Sequence, residues 1–556
     1  MRGRLSLIVG LVLLLGGAYL AQQVQTGGGE IAVQDVRFTG ASGTPMSALL
    51  YVPPNARPAT PAPGILAVHG YINSRETQSG FAIEFARRGY VVLALDQTGH
   101  GFSAPPAFAN GFGGPDGLAH LRKLKVVDPA RIGLEGHSMG GWAVLSAAAA
   151  QPDGYRAMVL EGSAPGTFGA PAGTRDFPRN VAVVFSAYDE FADLMWGVPV
   201  ATSLGAAGKL LDLFDATSLV EAGRVYGDVA AGTARVWNMP NVTHPGDHHS
   251  RAAIGDAIDW FEQTIGAPQP LPRDDQVWYW KELGTLTMVI AVVVLLIGFT
   301  TNALPLVGVT QRGVVTPSHP PASNTDWIGV AALALVPVIT YLPLMKLADV
   351  VMPPNVVLPQ QITNGVTLWL IGNGLLTALL LRFRGGLAIQ LDTGDIGRGF
   401  LAALIGVGSA YVALWLIASE WTIDARFWVL AIKPFATWHW TSLFVYVVPM
   451  LVFFPLLGVA LSRAWPNASA LSTSLLLPSG FVLFLLIQYV PLFAGHTLPL
   501  GEPLLTVIAF QFVALLAIVG VVTAVFLRRT GNPWTGGFVN ALFVAWVVVA
   551  GQATHV

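Results

Sequence analysis

Gly136-His137-Ser138-Met139-Gly140 reads G-x-S-x-G, preceded by a short strand pattern at residues 131–135 and followed by a helix-forming run at 142–150. A serine on a sharp strand-to-helix turn is forced into a strained backbone conformation that exposes its hydroxyl, and the flanking glycines let neighbouring chain approach. The plainer alternative, a helix N-cap serine after a loop, accounts for the pentapeptide but not for its surroundings. The order of the surrounding elements carries the reading of a nucleophile elbow.

Composition divides the chain in two. Hydrophobic residues make up 53% and charged residues 11% of the 556, against about 25% charged in a soluble domain. Residues 30–275 carry charges at a soluble rate, whereas long apolar runs dominate beyond 284. The expected organisation is an N-terminal signal anchor or transmembrane helix at 1–21, a domain at 30–267, a linker at 268–284, and a membrane domain at 285–556. The net charge of −2 predicts no nucleic-acid partner. The absence of cysteine excludes disulfides, cysteine nucleophiles and thiolate metal sites.

Arg2 and Arg4 precede the first apolar stretch; an uncleaved anchor or a cleaved signal peptide would export the domain after it. Eight further stretches are long enough to cross about 30 Å of hydrocarbon: 285–304, 325–347, 363–382, 399–418, 440–462, 473–494, 503–527 and 535–552. Alternate loops hold Arg312, Arg382, Arg384, Arg398, Arg463, Arg528 and Arg529, and the opposite loops hold Lys346, Arg426 and Lys433. The excess of positive charge on one side predicts a cytoplasmic N-terminus in the cytoplasmic membrane, with residues 22–284 and the C-terminus outside. Mid-span polar groups are few, chiefly Asn373, Gln488 and Gln511, and interhelical hydrogen bonding explains them more simply than a transport path. Trp278, Trp280, Trp421, Trp428, Trp438 and Trp440 suit a belt at the headgroup layer or a lipid-facing substrate entrance.

Within residues 30–275, strand patterns at 31–38, 46–52, 64–68, 90–95, 131–135, 157–160, 181–185 and 234–239 alternate with helical runs. That alternation predicts an α/β architecture, a mostly parallel eight-stranded sheet with helices on both faces, joined to an all-α transmembrane bundle. His69-Gly70-Tyr71 ends the third strand, D-x-x-G-x-G-x-S at 96–103 follows the fourth, the elbow the fifth, an acid the seventh and a histidine the eighth. In this succession residues 35–266 resemble the α/β-hydrolase superfamily, in particular its dienelactone-hydrolase-like and serine-aminopeptidase-like members. The membrane half has no counterpart in the common soluble members.

A serine hydroxyl needs a base within hydrogen-bond reach, and that base needs a carboxylate. Ser138 is the expected nucleophile. The resemblance places the acid at Asp189, with the adjacent Glu190 pointing elsewhere. For the base, His244 has the family spacing, while His248 and His249 remain alternatives. The same cluster with Asp247 also admits a metal reading, but one histidine is already required by the acid–base pair, and no metal and no cofactor is expected. The N–H of Met139 supplies one oxyanion donor through the elbow, and the resemblance supplies the other from Tyr71. His100 and His137 read as structural. Residues 190–233 form a long apolar connection, either a lid or two helices packed on the sheet or on the membrane bundle, and an acyl or aryl pocket is expected beneath.

The expected activity is a membrane-integrated serine hydrolase working through an acyl-enzyme, its substrate a small-molecule or lipid-like acyl ester, its surroundings membrane lipids. A peptidase or amidase with the same residues, a transporter or receptor with an exported ligand-binding domain, and acyl transfer to a non-water acceptor are the alternatives.

Overall fold

The computed structural model describes residues 2–309, 325–383 and 393–556. They divide into two compact units, one gathering residues 19–284, 488–503 and 553–556, the other 1–18, 285–487 and 504–552.

After α1 (Arg2–Gln25), the first unit runs β1 (Ala32–Thr39), β2 (Pro45–Val52), β3 (Ala62–Val68), α2 (Ser79–Arg87), β4 (Val91–Leu95), α3 (Ala109–Phe112), α4 (Gly114–Lys123), β5 (Val127–His137) and α5 (Met139–Ala150). It continues with β6 (Ala157–Glu161), β7 (Val181–Val184), α6 (Ala192–Trp196), α7 (Gly208–Phe214), β8 (Arg235–Asn238) and α8 (Arg251–Ile265). The eight predicted strands form one sheet in the order β1-β2-β4-β3-β5-β6-β7-β8. β1 pairs antiparallel with β2 and β2 with β4, and every later pairing is parallel. The central strands are apolar without alternation because helices cover both faces. All seven residues of β3 are buried, and its Pro63 sits at a register shift against β5, where a missing N–H costs no ladder bond. One face packs on α2 and α8 through Phe81, Phe85, Ile254, Ile258, Trp260 and Phe261, the other on α4 and α5. Full burial of each such side chain stabilises by roughly 1.5–3 kcal/mol. Parallel strands send all their carboxyl ends to one edge, so His69, Asp96, Ser138, Asp189 and His244 gather there.

The second unit contains most of α9 (Trp278–Leu306), then α10 (Trp327–Val351), α11 (Gln361–Phe383), α12 (Thr393–Trp421), a hairpin of β9 (Ala425–Phe427) and β10 (Leu430–Ile432), α13 (His439–Ala464), α14 (Ala470–Phe493), α15 (Pro503–Thr530) and α16 (Trp534–Gly551). Among the described residues nine helices, α1 and α9 to α16, are long and apolar enough to cross a membrane. Arg312 and Arg384 lie outside the described residues. α9 starts at Trp278 rather than at the predicted 285. The Glu84 carboxylate caps it by accepting the N–H groups of Val277 (2.7 Å) and Trp278 (3.1 Å), which satisfies donors that a helix start leaves open.

Candidate active site

Ser138 occupies the turn between β5 and α5 at φ 54°, ψ −120°. This conformation costs a non-glycine residue about 1–3 kcal/mol, and the close fit around it supplies the compensation. The Ser138 N–H donates to Glu161 O at 2.8 Å. A Cβ at Gly140 would stand 2.0 Å from Val68 O, and one at Gly136 would stand 2.3 Å from Gly140 O; only glycine lets α5 seat so close to β3. Ser138 itself is half-buried. Met139 opens α5, where first-turn N–H groups have no carbonyl within the helix.

The turn that follows β7 ends in Asp189, whose N–H donates to Ser186 O at 3.0 Å. Its Oδ1 accepts Phe191 N–H at 2.8 Å, and its Oδ2 faces His244 Nδ1 at 2.8 Å. That contact puts the proton on Nδ1 and leaves Nε2 as an acceptor. Burial pushes the His244 imidazole down to about 4, partly offset by the Asp247 charge, so the ring is neutral near pH 7. Burial and then Asp247 push the Asp189 carboxyl up, opposed by the Phe191 N–H. Among the described residues no hydrogen bond joins Ser138 to His244, although the strand ends that carry them lie on the same edge of the sheet. Gly162, directly after the Glu161 that holds Ser138, would place a Cβ 2.8 Å from His244 Nδ1 and 3.2 Å from Asp189 Oδ2. Such bonds are often loose without substrate.

The three candidate histidines separate. His244 meets Asp189. His248 lies beneath the elbow with its ring 4.1 Å from that of His137, neither ring nitrogen has a hydrogen-bond partner among the described residues, and burial holds it well below the usual histidine range. His249 turns away to Glu282 at 3.2 Å. Among the described residues no group of three or more His, Asp or Glu is arranged to hold a metal.

The turn after β3 lies against the elbow: a Cβ at Gly70 would be 3.1 Å from Ser138 Cβ. His69 Nδ1 donates to Gly70 O at 2.7 Å while its Nε2 accepts Gln97 N–H at 3.1 Å, fixing the chain just ahead of Tyr71. Asp96 and Ser103 of the D-x-x-G-x-G-x-S stretch brace the neighbouring turn, Ser103 Oγ donating to Asp96 O at 2.7 Å.

A family model described as serine aminopeptidase, S33, matches residues 59–186, which hold the turn after β3, the elbow and the strand before Asp189. The domain has the α/β-hydrolase fold. Similar solved structures include a hypothetical protein from Pseudomonas aeruginosa, 28% identical over 24% of this chain and 43% of that one, with a TM-score of 0.22. An esterase from Pyrococcus furiosus is 14% identical over 42% of this chain and 94% of its own, at 0.30. A dienelactone-hydrolase-like promiscuous phosphotriesterase from metagenomic libraries is 16% identical over 43% and 100%, at 0.31. The chain thus spans less than half of the Pseudomonas aeruginosa protein. No curated protein matches the chain.

Two features of the hydrolase site are absent from the sequence reading. Glu190 does not point away: its Oε2 accepts the His244 backbone N–H at 2.8 Å, and its other oxygen accepts from the Tyr489 hydroxyl. Tyr71 OH meets His555 Nε2 at 3.0 Å, and Thr554 exchanges backbone bonds with Gly99 and Ala107, both 2.8 Å. Separations of 299 and 484 residues leave no local pattern from which either pair could be found. The connection after Asp189 is packed against the domain. Met195, Trp196, Leu204, Leu210 and Leu213 are buried, and Arg235 Nε donates to Leu213 O at 3.0 Å.

Proposed function

We propose that the chain is a membrane-integrated serine hydrolase that cleaves carboxylic esters through an acyl-enzyme, with Ser138 as nucleophile, His244 as base and Asp189 as acid. The observation that supports it most is the buried His244 held at Nδ1 by Asp189, in a sheet whose central strand ends in Ser138 on a strained elbow. Ser138 Oγ attacks the acyl carbon as its proton passes to His244 Nε2. The Met139 and Tyr71 N–H groups face the developing oxyanion, and the imidazolium then protonates the leaving alkoxide. Water, deprotonated by the same ring, releases the acid and restores the serine. The apolar residues of the 190–233 connection favour an acyl or aryl group over a charged one as substrate.

The same residues serve amide cleavage, and the serine aminopeptidase description of the matching model favours that second reading. The proposed arrangement puts the N-terminus in the cytoplasm, with the hydrolase domain at 30–267 and the C-terminus on the far side of the cytoplasmic membrane, since Arg382, Arg398, Arg463, Arg528 and Arg529 fall on one set of loops. A reporter fused after Gly266 and active only in the cytoplasm would reverse it. The decisive experiment compares full-length protein with Ser138→Ala on p-nitrophenyl esters from acetyl to palmitoyl. Loss of turnover by about 10⁴-fold or more is expected, and fluorophosphonate should label Ser138. Labelling at another residue refutes the assignment. Ser138-dependent cleavage of peptide but no ester moves the substrate class to amides.

A further inference from the structure

Asp189 and Glu190 are consecutive, yet both act on His244. Asp189 Oδ2 takes the ring at Nδ1, and Glu190 Oε2 takes the backbone N–H of the same residue at 2.8 Å. The carbonyl is held as well, by His137 Nε2 at 3.0 Å. A histidine ring has two side-chain torsions. Asp189 governs the second by fixing which nitrogen faces it, whereas the origin from which the ring projects is set by the backbone, and Glu190 restrains it.

Glu190 is buried, with 9% of its surface exposed, and Tyr489 with 6%. A carboxylate in such surroundings keeps a fixed orientation only if both oxygens are occupied, because an unpaired one costs roughly 1–3 kcal/mol or more. The second partner is the Tyr489 hydroxyl. Its residue lies near the end of α14, and the neighbouring Phe493 meets Tyr188 edge-on at 5.0 Å between ring centroids. Tyr188 in turn bridges to Thr243, immediately before His244, and donates its N–H to Val242 O at 3.1 Å. The loops carrying acid and base are therefore joined to each other and to one short segment from the second half of the sequence.

We propose that Glu190 and Tyr489 are positioning residues of the hydrolase: the Tyr489 hydroxyl fixes the Glu190 carboxylate, which fixes the His244 backbone and so aims Nε2 at Ser138. The proposal rests on the assignment of Ser138, His244 and Asp189 above. Neither side chain touches substrate.

The test uses the full chain and two readouts, the rate of fluorophosphonate labelling at Ser138 and kcat and KM on p-nitrophenyl butyrate. Glu190→Ala is expected to lower labelling rate and kcat by about 10²-fold, the scale of a small misplacement at a reacting centre, with KM changed less than about threefold. Tyr489→Phe keeps the ring and removes only the hydroxyl; a loss of about tenfold in kcat is expected. Glu190→Gln retains an oxygen for the His244 N–H and should recover most of the rate. Wild-type kcat and labelling in both Glu190→Ala and Tyr489→Phe overturn the proposal, and so does a Glu190→Gln variant as slow as Glu190→Ala. If Glu190→Ala does not fold, Tyr489→Phe decides alone. A Ser138→Ala control that keeps full activity defeats the underlying assignment instead, whatever the other variants do.

Discussion

The hydrolase unit and the helical unit bury different kinds of polarity. The first encloses Arg75, Arg88, Glu135, Glu161, Asp189, Glu190, Arg235 and Asp247; the second encloses Gln360, Asn364, Asn373, Thr523 and Asn540. Its buried charges Asp424, Arg426 and Lys433 lie on or beside the β9–β10 hairpin, where Arg426 and Asp424 pair at 2.5 Å. Hydrocarbon penalises charge, while neutral amides can knit helices at small cost. Within the hydrolase unit the charges divide again. Arg88 and Glu84, far from the elbow, pair at 2.9 Å. Glu161, beside it, has neither oxygen bonded among the described residues, and burial and then Asp247 and Glu135 push its carboxyl far up. Buried ionisable groups thus concentrate in the hydrolase unit, around the edge that carries Ser138 and Asp189, and neutral amides in the helical unit.

The sharpest way to break that distinction is Asp189→Asn, expected to lower kcat by about 10⁴-fold because the amide presents the wrong partner to Nδ1. A loss below about tenfold in steady-state assays would make Asp189 ordinary buried polarity.

A pH profile of kcat/KM comes next. His244 is pushed down to about 4, and only its neutral form accepts the serine proton, so activity should persist below pH 6 and fall as pH drops through about 4. A limb near 6.5, the value of an exposed imidazole, would mean that burial does not set the base.

In the helical unit, Asn364 donates to Met352 O and Leu358 O at 2.8 and 3.0 Å and accepts Tyr446 OH at 2.7 Å. Asn364→Leu should cost about 2 kcal/mol of stability, read as a lower midpoint of thermal inactivation, while kcat at 25 °C stays at wild type. A change in kcat without lost stability would give the amide network a functional part.

The smallest effect is expected at Glu135, pushed up by burial to about 8 and accepting Gln78 Nε2 with both oxygens at 2.8 Å. Between pH 4.5 and 8 the folded state binds the extra proton, so this group's contribution to stability falls as pH rises through that window. Glu135→Gln removes the dependence and can donate to Gln78 Oε1, which lacks a partner. The variant should be more stable than wild type at pH 9 by roughly 1–2 kcal/mol, and equal or less stable at pH 5. Identical midpoints at both values would place the titration elsewhere.

Much of this was legible in the sequence where the cause is local. Long apolar runs reveal the long apolar helices, and G-x-S-x-G reveals the elbow because Gly136 and Gly140 must pass within contact of backbone. His244 could not be separated from His248 and His249 by spacing, since three histidines within six residues all follow β8; the arrangement of the loops after β7 and β8 brings one of them to Asp189. The start of α9 was hidden in the polar and aromatic run 278–283 because its cap comes from Glu84, almost 200 residues earlier.

The hydrolase unit takes in residues 488–503 and 553–556 as well as 19–284, which matters for its birth. A ribosome that has passed residue 284 must add about 200 residues before Tyr489 exists, roughly 10–40 s at 5–20 residues per second. During that interval Glu190 waits for its hydroxyl and His244 for its final aim. Until then, on the role proposed for Tyr489, the site is short of one positioning hydroxyl, and the rate expected of the growing chain is the roughly tenfold lower one of Tyr489→Phe.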